Sequence, residues 1–183
     1  MCPKWAECER SGQSGWRNGQ IIHDLRHSFI DFRPITLVQN ERQCLVVITK
    51  EQLQFIMNHA QCTYPEECCG FLLGINSEEK WVHSAISVPN INQESRSNRY
   101  NIDPLEIVRA DEAAQRANLD LLGIYHSHPD APPQPSQIDR EYAWPRYTYL
   151  IVSLENRVTK EVKAWHLSDD KSTFQSEDLR IIE

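Results

Sequence analysis

Apolar positions recur at two periods along this chain, and each change of period marks an element. Leu45-Val46-Val47-Ile48 is a β-branched run that predicts a short strand. Thr49 follows as a helix cap, Gln52 completes a capping box, and Leu53, Ile56, Met57 and Ala60 form a stripe at i, i+3, i+4 and i+7. That helix has to end before Pro65. A second strand then runs through Leu72, and Trp81 to Val88 predicts a third, paired with it. Pro89 to Asp103 is polar and longer than an ordinary connection, which makes it a candidate functional loop. Asp103-Pro104-Leu105-Glu106 has the cap, proline and acid that open a helix, and Ile107, Ala110, Ala114 and Ala117 carry its stripe on toward Leu121.

The second half is richer in strands. Leu121 to Tyr125 reads as a buried strand, followed by a short helix from Ser136 to about Trp144. Tyr147 to Leu154 is a clear strand, Val162 to Leu167 is hairpinned to it, and Phe174 to Ile182 is a last short strand or a packed tail. Alternation early and strands late predict a mixed α/β (α+β) protein, a central mixed sheet with helices on its faces. Residues 1 to 42 show no sustained period and read as an N-terminal arm, mobile or packed on the domain, which then spans 43–183.

Composition narrows the class. A chain of 183 residues with 40% hydrophobic and 25% charged content fits one domain with a full core. Its net charge of -7 argues against a general nucleic-acid binder. No run is long enough to span a bilayer, and the N-terminus lacks the apolar centre of a signal peptide, so a soluble cytoplasmic protein is expected. Six cysteines without a C-x-x-C pair agree with a reducing compartment. Oligomeric state is not readable from the residues.

The chemistry gathers in His126 to Asp139, HSHPDAPPQPSQID. His126 and His128 lie two apart on a strand, so both imidazoles share a face. Asp139 follows a Pro-rich bend, and two histidines with one carboxylate suit a catalytic zinc site whose fourth position is left for water. Ser136 stands three residues before Asp139, within reach of a substrate at such a metal; the same pair also fits a helix capping box. His23, His27, His59, His83 and His166 have no paired spacing and read as structural.

The spacing H-x-H, seven residues, S, two residues, D resembles the signature of the JAMM (MPN-plus) metalloprotease family. The family's upstream P-x-E-x-C-G pattern has its counterpart in Pro65-Glu66-Glu67-Cys68-Cys69-Gly70, with Glu67 in register. The resemblance covers about residues 43–183 and implies a three-layer α-β-α fold with one zinc ion per chain. It implies His126, His128 and Asp139 as ligands, Glu67 as general base and Ser136 as oxyanion donor. Cys69 would lie near the metal, either as a reactive thiol or as a small buried side chain.

The polar loop would hold an extended substrate tail by strand addition, with Arg99 and Tyr100 as contacts. The implied substrate is a ubiquitin-like or sulfur-carrier protein, cleaved after its C-terminal glycines. Two alternatives stay open: a RadC-like protein linked to DNA repair, and a catalytically silent MPN scaffold. A zinc nucleoside deaminase is excluded, since neither H-x-E nor P-C-x-x-C occurs.

Overall fold

A computed structural model describes residues 45–183; the expected arm over residues 1 to 42 lies outside them. In chain order the elements are β1 (Leu45–Thr49), α1 (Lys50–Thr63), β2 (Cys69–Asn76), β3 (Lys80–Val88), α2 (Pro104–Arg116), β4 (Asp120–Pro129), α3 (Gln137–Tyr142), β5 (Thr148–Glu155), β6 (Val158–Leu167) and β7 (Phe174–Ile182). None of the helices among the described residues is long and apolar enough to cross a membrane.

Local chemistry sets the helix boundaries. The Thr49 hydroxyl accepts from the Gln52 amide at 3.2 Å, and Asp103 accepts from Leu105 at 2.9 Å, so both long helices start on the predicted caps. The second ends at Arg116, where Ala117 closes the last turn and Asn118 takes a left-handed φ of 55°. Leu121 therefore belongs to β4 and not to the helix stripe. The third helix is shorter than expected and stops at Tyr142.

The sheet is mixed, as expected, with strand order β1-β3-β2-β4-β5-β6-β7. Two features go beyond the sequence reading. β6 begins at Val158, because Asn156 and Arg157 both take positive φ (50° and 68°) and form a tight hairpin turn. β7 is a full strand that pairs in parallel with β1 and closes the sheet on itself.

This curled sheet has two apolar faces. Leu53, Ile56 and Ala60 of α1 pack with Val46, Leu72, Val82, Leu122, Leu150 and Ala164, and Leu179 borders the cluster, so every strand contributes to one core around α1. On the opposite face Ala110 and Ala114 of α2 pack with Phe71, Leu73 and Val88. β2, covered on both sides, is buried over its first six residues. Gly70 is required there: a Cβ would lie 2.2 Å from the Ile86 carbonyl and 2.4 Å from the Tyr125 ring. The ring crossing that gap presents its hydroxyl to His59 Nδ1 of α1 at 2.9 Å.

A buried ion pair accompanies the closure. Lys80 Nζ donates to Glu177 Oε1 at 2.9 Å and to Thr148 Oγ1 at 2.8 Å, while the Thr148 hydroxyl donates to Glu177 Oε2 at 2.7 Å. β3, β5 and β7 are thereby joined, and removing either charge would strand the other without water.

Candidate metal centre and active site

The site is built on β4, where Gly123 to Pro129 run parallel to β5 from Thr148 to Leu154. His126 and His128 emerge on the α2-side face, as strand parity requires. The next turn is rich in proline and offers few amide donors, one of them the Gln134 amide that donates to Pro132 O at 2.9 Å, so side chains also bind its carbonyls. Three are bound in this way: Ser153 Oγ donates to Ala131 O at 2.6 Å, Trp165 Nε1 donates to Pro133 O at 2.9 Å, and His128 Nδ1 meets Pro132 O at 2.8 Å. These contacts direct α3 back toward the histidines, with Asp139 on its first turn.

His126, His128 and Asp139 converge, each offering one ligand atom, all within 4.8 Å of one another. The Nε2 atoms of the two rings lie 3.0 Å apart, and Asp139 oxygens approach them at 3.4 Å and 3.8 Å. This set fits a cation. A carbonyl accepts only, so His128 Nδ1 must carry the proton opposite Pro132, which leaves the Nε2 lone pair facing the cluster. Burial holds His126 at about 4, against the pull of Asp139, so this ring is neutral at pH 7. Among the described residues its Nδ1 has no hydrogen-bond partner, and its face is instead packed by the Tyr100 ring, stacked at 4.6 Å.

Burial pushes the Asp139 carboxyl up, but His126, the Ser136 hydroxyl and amide, and His128 outweigh it and hold the group below its ordinary value. Ser136 is a complete helix cap: its amide and hydroxyl donate to Asp139 Oδ2 at 2.7 Å and 2.6 Å, and its oxygen accepts from the Asp139 amide at 3.1 Å.

Glu67 reaches the same place from the segment that leads into β2. Cys69 pairs with His126 across the antiparallel ladder, so Glu67, two residues earlier on that face, is level with His128. It is only 5% exposed, and burial followed by the nearby Asp139 raises its carboxyl to about 8. Glu67, His128 and Asp139 line one groove of about 680 Å³, with His126 buried behind them, and its walls include Phe71, Ile91, Ile107, Tyr142, Trp144 and Tyr147. Arg99 and Tyr100 line it too, Arg99 half-exposed and 3.7 Å from Glu94. Sequence reasoning missed Pro132, Ser153 and Trp165, because side-chain bonds to distant carbonyls leave no periodic trace.

Cys69 belongs with the buried hydrophobes. Its Sγ lies 3.7 Å from the Val88 carbonyl, and burial pushes both its thiol and that of Cys68 up to about 12. Iodoacetamide at pH 7.5 is expected to modify the exposed Cys62 and spare Cys68 and Cys69 until the protein is denatured, as read by peptide mass mapping. Rapid native labelling of Cys69 would contradict this assignment.

The profile described as prokaryotic homologs of the JAB domain matches residues 49–168. The desampylase of Haloferax volcanii is 46% identical over 96 residues, 52% of this chain and 68% of its own. A probable TtuB-protein conjugate cleaving protease of Thermus thermophilus is 38% identical over 79 residues, 43% of this chain and 53% of its own. A solution structure of a protein from Desulfitobacterium hafniense superposes with TM-score 0.67 at 29% identity, covering 75% of this chain and 93% of that one.

Proposed function

The chain belongs to the family of prokaryotic homologues of the JAB domain, and from that membership we propose a zinc-dependent hydrolase acting on ubiquitin-like or sulfur-carrier proteins. The bond cleaved is the peptide or isopeptide bond that follows their C-terminal glycines. The observation that carries this reading is the convergence of His126, His128 and Asp139 beside Glu67, at the floor of a groove of about 680 Å³. The names of the Haloferax and Thermus relatives support the substrate class.

His126 and His128 through Nε2 and Asp139 through its carboxylate would hold the ion. Bound zinc would bring a water's pKa to about 7 and, as a neighbouring positive charge, favour the ionised form of Glu67. Glu67 then takes the proton of the attacking water and delivers it to the leaving nitrogen. Ser136 donates to the carbonyl oxygen as negative charge grows there. For this its hydroxyl must turn away from Asp139, which keeps the bond from the Ser136 amide. Residues 89 to 103 flank the groove and would line an extended tail with backbone, side-chain pockets setting the sequence preference.

Purified protein tested against carrier proteins extended past their terminal glycines, and against the same carriers linked to a lysine side chain, separates peptide from isopeptide preference. Cleavage after the glycines is expected; hydrolysis at unrelated positions would reject the carrier class. Ser136→Ala is expected to bind zinc normally and slow hydrolysis by roughly 10²–10³-fold, the effect of a lost oxyanion donor. It should also cost about 1 kcal/mol in urea melts as a lost cap. An unchanged rate would leave Ser136 a cap only.

A further inference from the structure

We propose that Asn90 is a positioning residue that sets Glu67 against the substrate groove. This rests on the reading of Glu67 as the general base.

Glu67 lies just before the paired part of β2, and its own backbone groups are bound by the polar loop. Its amide donates to Arg96 O at 2.7 Å, and its carbonyl accepts from Asn90 Nδ2 at 3.0 Å. Asn90 does more than hold that carbonyl. The same Nδ2 donates to Arg99 O at 3.0 Å, and Oδ1 accepts from the amides of Asn92 at 3.0 Å and Asn101 at 3.1 Å. A carboxamide has two donors and two acceptor lone pairs, and here all four are used. One side chain thus joins the Glu67 segment, the start of the loop and its return.

A second asparagine completes the hold. Buried Asn92 accepts from the amides of Glu94 and Ser95 at 3.0 Å and 2.8 Å, and its carbonyl accepts from Arg96 Nε at 2.7 Å. That turn presents the Arg96 carbonyl to the Glu67 amide. Glu67 is therefore placed by a segment that also carries groove-lining residues such as Arg99 and Tyr100, so a tail seated on the loop and the base share one support.

Asn90→Asp keeps the shape but replaces both donors with acceptors facing two carbonyls. We expect kcat to fall by roughly 10- to 100-fold, the scale of a small misplacement of a reacting group. Zinc content should be unchanged and KM should move less than kcat. The decisive arm is a double-mutant cycle on the fastest carrier fusion: in a Glu67→Gln background, Asn90→Asp should have no further effect, because the group it positions is gone. A substrate-free arm follows the Glu67 amide, whose hydrogen exchange should quicken in Asn90→Asp.

An equal fold-loss in both backgrounds, or an unchanged kcat, would overturn the proposal and leave Asn90 a loop scaffold. Should Asn90→Asp not fold, Asn90→Ser is taken through the same cycle. Loss of zinc or fold in both variants would likewise reduce Asn90 to a structural role. Failure of the underlying reading is separate: Glu67→Gln alone would then retain full turnover.

Discussion

Glu67→Gln is expected to take up one zinc per chain and to hydrolyse carrier fusions roughly 10²–10⁴-fold more slowly, the contribution of a positioned general base. The substitution keeps size and removes the titrating group, while the three convergent donors on β4 and α3 are untouched. Metal-free protein gives an independent reading. Burial, then Asp139, raises this carboxyl to about 8 from an unfolded value near 4.5. Between those values the folded state holds a proton that the unfolded state has lost, so the residue's contribution to stability falls as pH rises through the window. Glu67→Gln has no such dependence. Its urea midpoint should gain on the wild type from pH 5 to pH 8, and a constant difference would contradict the buried, proton-holding carboxyl. Full turnover would reject Glu67 as the base.

His128→Ala is expected to lose both metal and activity. Its Nε2 is one of three convergent donors, and the Pro132 carbonyl fixes the tautomer that leaves this nitrogen free to bind. Losing a supporting hydrogen bond to a ligand costs roughly 10- to 100-fold in metal affinity, so losing the ligand should cost more. Competition with a chromophoric chelator measures this directly. Stoichiometric, tight zinc in His128→Ala would remove the residue from the ligand set. The contrast with Glu67→Gln matters more than either loss alone, because only the histidine variant should change zinc content.

Much of this site was legible because it obeys short, periodic rules. His126 and His128 share a face by strand parity, and a fixed bend returns Asp139 to them. Glu67 was singled out only through the resemblance to the family's P-x-E-x-C-G pattern, and the antiparallel pairing of Cys69 with His126 gives that register its physical meaning. Ser136 carried both of its readings in the sequence. The cap is realised in full, and it holds the hydroxyl on Asp139.

What escaped has a common cause. Closure of the sheet depends on β7 meeting β1 across most of the domain, and Lys80, Thr148 and Glu177 meet only once that has happened. No local window contains them together. The supports of the site are of the same kind: Trp165 on the Pro133 carbonyl, and Asn90 on the Glu67 carbonyl, are single side chains bound to distant backbone. Asparagine in a polar loop reads as turn chemistry, and nothing in the sequence separates it from one that fixes a catalytic segment. Tyr100, expected as a tail contact, also stacks on His126 and so links the loop to the candidate metal centre.

In the proposed function His126, His128 and Asp139 hold a catalytic zinc ion. Zinc content and cleavage of a glycine-extended carrier should be measured on one preparation, before chelation, after it and after zinc is restored. One ion per chain, loss of cleavage with the metal and recovery on its return are predicted. Cleavage that survives complete removal of the metal would rule out zinc as the catalytic ion.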